Sequence, residues 1–212
     1  MLRKELKGRG KRIVVIAGLL CAFVGGAGLN STDSATAPAE DWILAQHEAR
    51  INLDTARVLD IVREHRRTAS DVWRKTLADA IVAEALAEDL DPLFVAAIVA
   101  RESSFKTRIV SHAGAVGLMQ LRPWVARDMA LRSDMAWDGV QTLHDPQLNV
   151  RLGVRYYKEL FDRFGDEGTA LTAYCYGPTR VAVQLRAGTF EGSRYASEIL
   201  ALHERLTGRD TV

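Results

Sequence analysis

Two cysteines in 212 residues are too few for a disulfide framework. Cys21 lies inside an apolar run, so removal of that run as a leader leaves Cys175 alone and no internal bridge to form. The five histidines, His47, His65, His112, His144 and His203, show no metal-ligand spacing. His47-Glu48 opens an HExxH-like pattern, but position 51 holds Ile51 in place of the second histidine. There is no GxSxG and no P-loop, and Cys175 has no motif-level partner that would make it a nucleophile. No metal and no cofactor is therefore expected. Excess positive charge is missing too. The net charge is +1, and the first twelve residues carry +5, which leaves −4 on residues 13–212. A mildly acidic body argues against nucleic acid as a partner, because such a binder needs a basic face to displace counterions.

What is present begins with that basic start. Six bases and one acid in residues 1–12 run directly into the uncharged stretch Ile13 to Gly28. A positive segment, an apolar segment and small residues near Gly25 and Ala27 read as a secretory signal. The apolar run falls short of the roughly 18 to 20 residues that span a bilayer comfortably, so residues 1–28 are either a cleaved signal or a retained membrane anchor. Both imply export to the periplasm or cell envelope. Residues 29–40 are small, polar and non-periodic, which suits a linker.

From 41 to 69 the apolar residues Trp42, Leu44, Ile51, Leu53, Val58, Leu59, Ile61 and Val62 recur at roughly helical spacing. This extension is expected to brace the domain that follows rather than to dock envelope protein partners. Residues 70–212 then read as one mostly helical domain. Ser70-Asp71 caps a helix ending near Asp89, and Asp91-Pro92 opens another with proline where a missing N–H costs nothing. Leu93 to Arg101 is apolar on every side and must be buried all round. A glycine-rich turn, Ser111 to Gly117, follows, too rich in glycine to be helical; a small β-hairpin is expected there. Further helices are expected over Pro123 to Leu131 (Trp124 and Met129 in the core), Asp145 to Phe164, Asp166 to Tyr174 and Ser193 to Leu206. The fold class is α+β, predominantly α-helical.

Glu102 sits at the carboxyl end of the all-apolar helix. A carboxyl emerging from a buried helix is partly desolvated, which disfavours its charged form and suits it to act as a general acid on a glycosidic bond. Around it stand Arg101-Glu-Ser-Ser-Phe105 and Ser111-x-x-Gly114-Ala-x-Gly117-Leu-Met-Gln120-Leu-x-Pro123. Later come Asp145-Pro-x-x-Asn149-x-x-x-Gly153-Val-x-Tyr156 and Ala173-Tyr174-x-x-Gly177-Pro-x-Arg180-Val181. This ordered series resembles the soluble-type lytic transglycosylases, the SLT family, over about Ala83 to Leu206.

The resemblance implies a goose-lysozyme-like fold and action on peptidoglycan glycan strands, without a cofactor. It implies that Glu102 protonates the bond between N-acetylmuramic acid and N-acetylglucosamine, then as carboxylate takes the proton of the muramic C6 hydroxyl as that group closes onto C1. Tyr174 matches the tyrosine whose hydroxyl reaches the catalytic glutamate. Ser103, Ser111, Met119, Gln120 and Tyr176 fall at or beside positions of the sugar cleft. Asn149 matches a buried structural asparagine. Gly114 and Gly117 are explained by positive φ or close backbone approach. One departure stands out: the family usually carries asparagine after the tyrosine, and here Cys175 follows, which cannot replace both donor and acceptor of an amide. Two other readings stay open: a goose-type lysozyme hydrolase on the same fold, and a non-catalytic peptidoglycan-binding module.

Overall fold

The first described helix begins inside the segment read as a linker. The computed structural model describes residues 37–208, so the expected signal or anchor and residues 29–36 lie outside the described residues. Helix α1 spans Ala37–His65 as one continuous element, with Pro38 in the first turn, where proline is tolerated. Its halves differ. Trp42, Ile43, Leu44 and Leu53 are exposed, whereas Asp54, Val58, Ile61 and Val62 are buried. Arg57 donates to the carbonyl of Leu206 at 2.7 Å, tying the packed half to the end of the chain. The second half of α1 thus belongs to the same core as the helices after residue 70. Among the described residues, no helix is long and apolar enough to cross a membrane.

The remaining helices are α2 (Asp71–Ala87), α3 (Pro92–Ser103), α4 (Pro123–Arg132), a 3₁₀ segment (Gly139–His144), α5 (Pro146–Phe164), α6 (Glu167–Tyr176), α7 (Pro178–Ala187) and α8 (Arg194–Thr207). Side-chain caps set most of the starts. Ser70 accepts from the Trp73 amide at 3.2 Å and Asp91 from Leu93 at 2.8 Å. Asp145 accepts from Leu148 at 2.8 Å, Asp166 from Thr169 at 2.8 Å and Ser193 from Ala196 at 3.1 Å. Each satisfies an amide that the helix itself leaves unpaired.

Helix α3 is the axis. Every residue from Pro92 to Ala100 is buried, and α2 and α8 pack against it. A larger apolar cluster gathers α1, α2, α3, α5, α6 and α8 around it. A smaller cluster joins Val116 and Leu121 of the glycine turn to α4, to Leu143 of the 3₁₀ segment and to Leu152 of α5. Tyr156 and Tyr174 pack against both clusters and mark their seam.

Two expectations need correction here. The β-hairpin near the glycine turn is reduced to two isolated antiparallel bridges, Val110 with Val116 and Val116 with Leu121, and no strand forms among the described residues. The turn is too short and too rich in positive-φ residues (Gly114, Gly117 and Gln120) to extend a ladder. Trp124 is not core: 67% of it is exposed, while Val125, Ala126, Met129 and Ala130 take the inward face of α4. Helix α7 has no counterpart among the helices expected from the sequence, which pass from Asp166–Tyr174 directly to Ser193–Leu206.

Candidate active site

The seam between the two clusters opens as a cleft of about 360 Å³. Glu102 from α3 faces it, along with Leu121, Trp124 and Val125 from the smaller lobe and Tyr156 and Tyr174 from α5 and α6. Glu102 is the only acidic residue in that lining.

The chain stops α3 immediately beyond the acid. Ser104 (φ 48) and Phe105 (φ 60) are successive non-glycine residues in the left-handed region, each disfavoured by roughly 1–2 kcal/mol. Burial holds the turn: Phe105 is fully buried, with the His65 ring at 5.1 Å. Glu102 is thereby placed on the last turn of a buried helix, whose C-terminal partial charge also disfavours a carboxylate. Desolvation raises its pKa from the ordinary 4.5, and it is opposed by a hydrogen bond from Tyr195 and by the charge of Arg101. The Tyr195 hydroxyl donates to Glu102 Oε1 at 2.5 Å. Arg101 lies over the Tyr195 ring at 5.6 Å and donates to Glu198 Oε2 at 2.8 Å, while Arg194 takes Oε1 at 2.7 Å. The acid is therefore protonated more readily than an ordinary glutamate, yet held in a fixed orientation.

The opposite wall is built from the glycine turn, and Asn149 pins it. Its Oδ1 accepts from the Met119 amide at 2.8 Å, and its Nδ2 donates to the carbonyls of Val116 and Leu143, both at 3.0 Å. Gly117 is required beside it. A Cβ there would come within 2.1 Å of Asn149 Nδ2 and 2.5 Å of the Leu143 carbonyl, and φ is +83°. Tyr174 completes the clamp by donating to the Met119 carbonyl at 2.7 Å.

The model of the Transglycosylase SLT domain family matches residues 79–195, more than half of the chain. The chain belongs to this family. A transglycosylase of Enterobacteria phage PRD1 is 42% identical over 94 residues, which is 44% of this chain and 32% of that one. The soluble lytic murein transglycosylase of Salmonella typhimurium is 29% identical over 116 residues, covering 53% and 18%. Among solved structures, an inactive mutant of lytic transglycosylase Slt from Pseudomonas aeruginosa aligns with a TM-score of 0.54 at 27% identity, over 61% and 24% of the two chains. The 70 kDa soluble lytic transglycosylase of Escherichia coli aligns with a TM-score of 0.58 at 20% identity, over 75% and 29%, which establishes shared fold. The chain thus spans about a third or less of each relative's length.

Within this SLT domain the expected site residues separate into two groups. Glu102, Ser111, Gln120, Tyr174 and Tyr176 line the cleft. Ser111 Oγ accepts from the Ala115 amide at 3.0 Å, and Gln120 Nε2 donates to the Gly117 carbonyl at 2.9 Å, so both also brace the turn. Ser103 and Met119 do not line it. Ser103 is buried and donates to the Val99 carbonyl at 3.1 Å, closing the last turn of α3. Met119 is fully buried, packed so closely on Gly153 that a Cβ there would lie 2.4 Å from its sulfur. Both act through the scaffold. Tyr174 needs a correction of role, because its hydroxyl is bound to Met119 and not to Glu102.

The hydroxyl that does reach Glu102 belongs to Tyr195, which the sequence reading missed. The available signal was a tyrosine on the inward face of α8, beside Ala196 and Ile199, whose O–H needs a buried partner. Cys175 is exposed at the cleft wall, where partial desolvation and the Glu102 charge raise its thiol pKa.

Proposed function

We propose that this SLT domain cleaves the β-1,4 bond between N-acetylmuramic acid and N-acetylglucosamine in peptidoglycan and leaves 1,6-anhydro-muramic ends. Glu102 donates its proton to the glycosidic oxygen as the C1–O bond breaks. The resulting carboxylate then removes the proton from the muramic C6 hydroxyl as that oxygen bonds to C1. Atoms and charge balance without water, and Glu102 ends protonated, ready for another cycle. Tyr195 orients the carboxyl through both steps, and Tyr174 and Asn149 position the opposing wall.

The observation that carries this reading is a single desolvated carboxyl in a cleft whose lining holds no second acid. Hydrolysis of glycosides ordinarily uses two carboxylates, one of them to activate water or act as nucleophile. A substrate that supplies its own nucleophile needs one. The basic and apolar residues 1–28 support an exported protein of the periplasm or cell envelope.

Digestion of purified sacculi tests the proposal. Wild-type protein is expected to release muropeptides lighter by one water than hydrolytic products, and Glu102→Gln to release none while still sedimenting with sacculi. Ordinary reducing ends would make it a hydrolase. Binding without release by the wild type would make it a peptidoglycan-binding module.

A further inference from the structure

Trp124 borders the cleft with 67% of its surface exposed, and it packs in neither core cluster. Val125, Ala126, Met129 and Ala130 already fill the inward face of α4, so the fold does not need the indole. Isolated exposed apolar residues are ordinary on a protein surface, and Val72 and Leu131 are two of them, away from the cleft. Trp124 differs in its place and in its mount. Pro123 opens α4 with φ already set for the helix. Just before it, Leu121 and Val116 exchange backbone hydrogen bonds of 3.1 and 2.9 Å. Arg122 donates from its guanidinium to the Ala113 carbonyl, which ties the start of α4 to the glycine turn. A large flat ring is therefore held at the mouth of the cleft on a backbone that binding need not order.

We infer that Trp124 is a stacking platform for one sugar ring of the bound strand, next to the pair that Glu102 separates, and that it sets a preference for long glycan over short fragments. This deepens the glycan reading above and rests on it. In a β-1,4 glycan of glucose-type sugars the ring substituents are equatorial, so each ring presents two flat faces of axial C–H groups. Those hydrogens carry partial positive charge and suit the negative face of an indole. Such a contact does not depend on what the ring bears at its edge, so either peptidoglycan sugar can make it. Glu102 leaves the last turn of a buried helix, whereas Trp124 stands on the rim, and the ring over the indole is a neighbour of the reacting pair. Contact with an unreacting ring is equal in ground and transition states, so it lowers KM and leaves kcat alone. Fragments that end short of the rim lose it.

The hexamer of β-1,4-linked N-acetylglucosamine, which has the same ring faces, is the probe. Calorimetry on the Glu102→Gln protein reads binding without turnover. Adding Trp124→Ala is expected to weaken hexamer binding about 10-fold, as for a central aromatic contact, and Trp124→Phe should restore part of it. The hexamer should also move tryptophan emission to shorter wavelength. That shift should vanish in Trp124→Phe although Trp42, Trp73 and Trp137 remain, an effect that a purely structural role would not produce. With Glu102 intact, Trp124→Ala should raise KM on long strands about 10-fold and keep kcat within about twofold. Hexamer affinity unchanged by Trp124→Ala, no hexamer binding at all, an emission shift that survives Trp124→Phe, or a loss confined to kcat would overturn the assignment. If wild type releases no product from sacculi yet hexamer binding depends on Trp124, the catalytic proposal fails and the platform stands.

Discussion

Replacing Tyr195 by phenylalanine removes one oxygen from a residue that is 6% exposed and takes away the hydroxyl that Glu102 Oε1 accepts from. That hydroxyl favours the charged form of the acid, and desolvation opposes it. With the donor gone, only Arg101 still stabilises the carboxylate, so the Glu102 pKa rises further. A hydrogen bond to a charged group contributes about 1.5–3 kcal/mol. Water entering the vacated space offsets part of that loss. The sign follows from the role of the acid: catalysis requires the proton, so activity is lost as pH rises through the Glu102 pKa. Tyr195→Phe should therefore move the alkaline limb of kcat/KM to higher pH, while the maximum rate falls by about 10-fold because the carboxyl is no longer oriented. Clearance of sacculus turbidity across a pH series reads both effects, and a thermal melt checks folding. A limb that stays in place or moves to lower pH would refute the reasoning.

Other substitutions probe the scaffold and the cleft wall. Asn149→Ala strands the Met119 amide and the carbonyls of Val116 and Leu143, and should cost about 3 kcal/mol in urea unfolding. Gly117→Ala meets Asn149 and the Leu143 carbonyl and should prevent stable folding, whereas Gly114→Ala, with nothing within 4 Å, should cost only about 1–2 kcal/mol from its positive φ. Alkylation of Cys175 with a bulky maleimide should block sacculus lysis, slowly at neutral pH and faster as pH rises, because its thiol pKa is raised. Cys175→Ser should make the protein resistant to that inhibition, and persistent inhibition would place the reactive group elsewhere.

Local chemistry was legible in the sequence, and long-range partnership was not. Ser70, Asp91, Asp145 and Ser193 announce helix starts because a cap needs only its next two or three residues. The uniform apolarity of Leu93 to Ala100 likewise shows burial without knowledge of what covers it. Helix α7 escaped because Val181 is its only buried residue, while Val183 and Leu185 are exposed and leave no clear face. Trp124 looked like core because it is large and apolar, but the pitch of α4 turns it onto the cleft rim. Glu102 could be singled out from its own segment, whereas the bond to Tyr195 joins positions 93 residues apart. Met119 and Ser103 stood next to the right motif positions with their side chains turned into the protein, a distinction that spacing alone does not carry.

The most direct measurement is a carboxyl-carbon NMR titration of Glu102 in the folded wild-type protein, with Glu102→Gln used to assign the signal. A midpoint above the ordinary glutamate value of 4.5 is expected, shifted higher again in Tyr195→Phe. A midpoint at or below 4.5 would contradict a carboxyl that burial keeps protonated for work on a glycosidic bond.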